Sequence, residues 1–144
     1  MSAVYVETSA VLAWLLGESR SATVLSVINE AESVLTSVLT EVEVRRSLAR
    51  ARTAGTISEA AAAHLQGAFE SVYRAWVLME PGPEVRARAS APFPVEPIRT
   101  LDAIHLATAL EFLKAVEDVR VLSLDKRVLD NIGPLGLQAA AAAW

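Results

Sequence analysis

The sequence predicts an α/β sandwich with a mainly parallel sheet. Short apolar, β-branched segments recur along the chain, and each is followed by a helical stretch, the alternation expected when parallel strands are joined by helical crossovers. Alanine supplies much of the 53% hydrophobic fraction, which favours helices between the strands. The 144 residues fit one domain spanning 1–144 and are enough to bury a sizeable core.

The elements follow in order. Residues 3–6 suit a buried strand. Thr8 or Ser9 caps a helix over 10–16, which Gly17 stops. A second helix over 22–30 places Val24, Val27, Ile28 and Ala31 on one face, and residues 33–36 form the next strand. Ser37 starts a longer helix to Arg52, ended by Gly55, and Ser58 caps another that runs to Ala75. Residues 77–79 form a third strand. The segment 81–98 holds five of the six prolines and is irregular, with room for a short helix over 84–89. Thr100 caps a helix over 101–116. A strand over 119–122, a short helix over 125–132 and a last strand over 137–140 complete the chain.

The bulk properties restrict function. A net charge of −4 argues against a protein held to nucleic acid by a broad basic surface, though not against an enzyme that handles RNA through metal ions and a few arginines. The absence of cysteine removes disulfides, zinc–thiolate sites and cysteine nucleophiles. No basic segment precedes the first apolar run, and no uncharged stretch reaches the roughly 18 residues that cross a bilayer. The chain reads as soluble and cytoplasmic, with no membrane partner.

Among 17 acidic residues, position singles out a few. Glu7 and Asp125 each directly follow an apolar strand, and the C-terminal ends of strands are where open parallel sheets place ligand sites. Asp102 lies in the first turn of an apolar helix, where an acid also favours the helix dipole. Glu43 borders the buried face of its helix; Glu41, about 200° around at 100° per residue, faces away and suits a pair with Arg45. Carboxylates that converge repel and raise one another's pKa, and a bound divalent cation relieves this. All-oxygen ligands select hard ions, Mg²⁺ or Mn²⁺, and such a centre can turn water into a nucleophile at phosphorus.

The segments that carry these acids resemble a known family. VYVETSAVLAWLLGE, TSVLTEVEVRRSL, RTLDAIHLATAL and VLSLDKRVLDNIGPLGL are similar to the four motifs of PIN domains, in the family's order and spacing. The acidic positions fall on Glu7, Glu43, Asp102 and Asp125, and the length is that of VapC toxins of type II toxin–antitoxin pairs. The resemblance implies a Rossmann-like three-layer α/β/α sandwich in which these four acids hold one or two Mg²⁺ or Mn²⁺ ions. It implies an endoribonuclease that cuts tRNA, rRNA or mRNA with metal-activated water, a cognate VapB-type antitoxin covering the cleft, and a homodimer. Ser9 matches the family's small hydroxyl position and could support a metal-bound water; a helix cap is its other reading. Most PIN domains have Asp where this chain has Glu7. The alternative is therefore a catalytically impaired PIN fold that binds RNA or antitoxin. A Mg²⁺ phosphatase or phosphoacceptor domain is a third reading, against which Glu7 and DAIHLATAL both argue.

Other residues carry blander expectations. His105, one turn after Asp102, suits packing or hydrogen bonding better than general-base work, Thr8 is a weaker candidate than Ser9, and His64 is read as structural. Arg45, Arg46, Arg50 and Arg52 form a basic helix edge, and Arg86, Arg88 and Arg99 a second set; most are read as solvated, with RNA phosphates as the functional alternative. Trp14, Leu15, Leu16, Val72, Tyr73 and Trp76 are read mostly as core.

Overall fold

A computed structural model describes residues 3–141. Strand β1 (Ala3–Val6) lies at the centre of a five-stranded sheet of order β3-β2-β1-β4-β5, with β2 at Ser33–Ser37, β3 at Val77–Met79, β4 at Val119–Leu122 and β5 at Gln138–Ala139. Every pairing is parallel. Val4 is opposite Val34 on one side and Arg120 on the other.

The period-two alternation of β1 feeds two cores. Val4 and Val6 pack on one face with helices α1 (Thr8–Leu15), α2 (Ser21–Glu30), α3 (Leu39–Thr53) and α4 (Glu59–Tyr73). Ala3 and Tyr5 point to the other face, against α6 (Thr100–Ala115) and α7 (Lys126–Ile132). Helices thus cover both faces of the sheet, which gives the expected three layers, and α5 (Pro83–Ser90) packs on α6. Helix α6 lies over the sheet and buries Ala103, Leu106, Ala109 and Phe112 in that core. From β1 the chain steps to β2 and β3 on one side, then returns to β4 and β5 on the other. The crevice between the ends of β1 and β4 is therefore a topological switch point, the usual place for a ligand in open α/β sheets.

Several local expectations are corrected. Neither Thr8 nor Ser9 caps α1: the helix begins at Thr8, and the Glu7 carboxylate accepts from the Ser9 amide. Helix α6 begins at Thr100, with Arg99 in the cap position and no side-chain cap bond. Ser37 ends β2 rather than starting a helix, and its Oγ accepts from the amide of Leu39, the first residue of α3. Ser58 does cap α4, at 3.0 Å from Ala61 N, but that helix stops at Tyr73. Strand β5 is limited to Gln138–Ala139, and Leu137 belongs to the core instead. Gly17 and Gly55 end their helices at φ 65° and 77°, which only glycine adopts without strain. Leu15, Tyr73 and Trp76 are buried as expected, whereas Leu16 is 41% exposed. His64 is exposed on α4 and supports no core.

Candidate active site

The four acids singled out in the sequence meet at the switch point. Glu7, Glu43, Asp102 and Asp125 line one cleft of about 410 Å³, together with Arg46, Arg50 and Arg99 and an apolar rim of Leu12, Leu39, Val42 and Leu101. Four separate segments supply them. Glu7 caps α1 directly after β1, Glu43 projects from α3, Asp102 lies in the first turn of α6, and Asp125 caps α7 after β4. Glu41 is turned away and pairs with Arg45 at 3.1 Å, as the helix phase requires.

Glu7 is only 4% exposed. Its Oε1 accepts from Ser9 Oγ at 2.9 Å and Ser123 Oγ at 2.8 Å, and its Oε2 from the Ser9 amide. Ser9 Oγ also accepts from Leu124 N at 2.9 Å, and Ser123 Oγ from Asp125 N at 3.1 Å. These bonds stitch the end of β1 to the end of β4 and fix Glu7 relative to Asp125. Ser9 is therefore a clamp between strand ends. Ser123 carries no motif of its own and escapes a reading by sequence position.

Burial pushes the Glu7 carboxyl above its ordinary value, and the opposing pull of His105, Ser9 and Ser123 does not cancel it. The folded protein thus holds this proton more tightly than the unfolded chain. Its stabilising contribution is complete below about 4.5 and is lost as pH rises through the raised folded value. In chelator, Glu7→Gln is expected to melt above the parent at neutral pH, with the gap closing as pH falls toward 4.5. Melting curves across pH measure this, and a variant that melts below the parent at neutral pH would refute it.

Glu43 is held from behind. Thr8 Oγ1, at 2.8 Å, and His105 Nε2 both donate to its Oε1, while no hydrogen bond among the described residues reaches Oε2. His105 is 1% exposed and its Nδ1 lies 2.7 Å from the Tyr5 hydroxyl. With Nδ1 against the phenol, Nε2 is the nitrogen that carries the proton Glu43 accepts. Burial alone would raise the Glu43 carboxyl, but the hydrogen bond and charge of His105, then Thr8 and Arg99, bring it below the ordinary value. His105 thus has the hydrogen-bonding role expected of it, and Thr8 does more than its sequence position suggested.

Arg99 lies across the other pair. Its Nε is 3.0 Å from Asp102 Oδ2 and its Nη2 2.7 Å from Asp125 Oδ2. The hydrogen bond and charge of Asp102, then those of Asp125, outweigh desolvation and raise the guanidinium further. Arg86 and Arg88 are occupied elsewhere, on Pro81 O and over the Phe93 ring. Arg45 and Arg52 border a different groove.

The donor set is one a hard divalent ion takes: four carboxylates, no sulfur, and imidazole only behind Glu43. Among the described residues, no three acidic or imidazole side chains are drawn close enough to ligate one ion together. Two of the acids instead share the Arg99 guanidinium.

Comparison with curated proteins by sequence gave no significant match. Among solved structures the chain is similar to VapC20 of Mycobacterium tuberculosis, described as a toxin that cleaves the sarcin–ricin loop. The TM-score is 0.62 at 16% identity, over 88% of this chain and 93% of that one, a likeness of fold. Residues 4–133 match the PIN domain family, a span that runs from β1 through α7 and takes in all four acids; the chain belongs to the PIN-domain family.

Proposed function

We propose that this protein is a Mg²⁺- or Mn²⁺-dependent endoribonuclease of the VapC type, the toxin of a toxin–antitoxin pair acting in the cytoplasm. The observation that carries the reading is the convergence of Glu7, Glu43, Asp102 and Asp125 on one cleft at the switch point of the sheet. Family membership and the fold shared with VapC20 support it. So does the absence, among the described residues, of a helix long and apolar enough to cross a membrane. The partners proposed are an RNA substrate (tRNA, rRNA or mRNA), a VapB-type antitoxin over the cleft and a second copy of the chain.

Ligands drawn from these four carboxylates would hold the cation, which would supply Lewis-acid stabilisation at phosphorus and ease ionisation of water. The chain's own residues set up that chemistry. His105 and Thr8 fix one oxygen of Glu43 and leave the other for the cleft. Ser9 and Ser123 hold Glu7 between the strand ends. Arg46 and Arg50, on the α3 side of the cleft, are placed to meet phosphates of an RNA strand.

The test is incubation of purified protein with total RNA and Mg²⁺ or Mn²⁺, with and without chelator. Cleavage that needs the metal supports the proposal, and its absence with both ions overturns it. Glu41→Gln, outside the cleft, should cut like the parent. Millimolar Mn²⁺ is also expected to raise the melting temperature. At a hundredfold excess over Kd the gain is about 2.7 kcal/mol, or about 5 °C or more for a protein of this size. An unchanged melting temperature would count against a convergent acidic centre.

A second reading, a PIN fold that binds without cutting, is favoured by one observation: both oxygens of Glu7 accept internal hydrogen bonds. Under it, the parent is inert and Glu7→Asp, with a carboxylate one methylene shorter, gains activity.

A further inference from the structure

The strongest cation in the cleft is one the protein brings itself. Arg99 sits immediately before α6, and its side chain is 62% exposed. Despite that freedom it spans two acids on separate helices, reaching Asp102 Oδ2 at 3.0 Å and Asp125 Oδ2 at 2.7 Å. Asp102 and Asp125 are also two of the four carboxylates proposed to hold the divalent ion. The guanidinium meanwhile supplies the positive charge that keeps the two from repelling each other.

A divalent ion and a guanidinium compete for the same carboxylate oxygens. Mg²⁺ and Mn²⁺ bind carboxylate at about 2 Å and demand near-octahedral geometry, which a guanidinium bonded to the same lone pairs obstructs. The side chain has somewhere to go, because it is largely solvent-exposed and makes no capping bond to the backbone of α6. Once released it remains tethered at the mouth of the cleft, three residues from Asp102. A guanidinium there matches a phosphate bidentately, better than an ammonium does.

We propose that Arg99 is a resident counter-charge that the divalent ion displaces from Asp102 and Asp125, and that the released guanidinium then grips a phosphate of the RNA strand. This rests on the metal-dependent ribonuclease reading. Ion and RNA binding are thereby coupled: the strand is gripped well only after the ion has entered.

The proposal makes opposite demands of one substitution. In calorimetric titrations of the full chain, Arg99→Ala should bind Mn²⁺ at least about fivefold more tightly than the parent, since no guanidinium has to leave. Without metal it should melt lower, with two acids uncompensated, and Mn²⁺ should raise its melting temperature by more than it raises the parent's. Binding of a cleavage-resistant 2′-O-methyl phosphorothioate RNA, followed by fluorescence anisotropy in saturating Mn²⁺, should weaken at least about fivefold. Arg99→Lys, whose compact ammonium lacks the planar fork that reaches both acids, should fall between parent and alanine variant in both titrations, and it serves as the test variant if Arg99→Ala does not fold. Equal or weaker Mn²⁺ binding by Arg99→Ala would overturn the displacement. Unchanged RNA affinity in Mn²⁺ would overturn the phosphate grip. Failure of both proteins to bind Mn²⁺ would overturn the metal-dependent reading itself, and this inference with it.

Discussion

An Asp102→Asn variant is expected to lose about a hundredfold or more of its RNA cleavage while keeping its fold. Asp102 is 6% exposed in the first turn of α6, and its Oδ2 is engaged by Arg99. The amide preserves the shape and one acceptor oxygen but removes the charge. Loss of a residue behind a metal ligand commonly costs 10–100-fold, and loss of a ligand's own charge should reach at least the upper end of that range. Initial rates on RNA with Mn²⁺ measure the effect, and melting in chelator verifies the fold. A variant that cuts within threefold of the parent would remove Asp102 from the machinery.

His105→Ala should be the most destabilising single truncation around the cleft, by about 3–5 kcal/mol. The ring lies within a packed interior, 5.9 Å between centroids from Tyr5, so its removal opens a cavity of the kind that costs about 2–5 kcal/mol. It also strips a partner from the fully buried Tyr5 hydroxyl and from Glu43 Oε1, at about 1–3 kcal/mol for a buried group left unmet. These terms overlap, so the total is less than their sum. Urea titration should show a lower midpoint with an unchanged slope. A loss below about 1 kcal/mol would mean that the Tyr5–His105–Glu43 chain contributes little to the fold.

The parts of the site legible in the sequence are those that local periodicity controls. Glu7 could be placed because it directly follows an apolar strand and Asp125 because it lies just beyond one, three residues after the end of β4, and Glu43 could be told from Glu41 by helix phase alone. The rest depends on tertiary juxtaposition. Thr8 meets Glu43 across 35 residues, Glu7 meets Ser123 across 116, and Arg99 meets Asp125 across 26. Ser123 and Arg99 lie within the quoted segments, and Arg99 was grouped with Arg86 and Arg88, but nothing in the sequence pairs Ser123 with Glu7 or Arg99 with Asp125 before the sheet order is known. Errors at the element ends have local physical causes. Cap preferences favoured Thr8 or Ser9, but the acid already fixed at the strand end takes the cap of α1. Leu16 was grouped with Trp14 and Leu15 as mostly core, yet it follows α1 at the turn before Gly17, where the chain leaves the buried face.

The central position of β1 also governs when the cleft can exist during synthesis. One edge of β1 is filled by β2 soon after it is made, but the other waits for residues 119–122. Until β4 arrives, Glu7 lacks Ser123, Ser9 lacks Leu124 N, and Asp125 has not been made. An elongating chain on the ribosome therefore carries an open strand edge and an unassembled centre until residues 119–125 have been made. Only molecules whose translation has passed β4 and Asp125 can bring the four acids together.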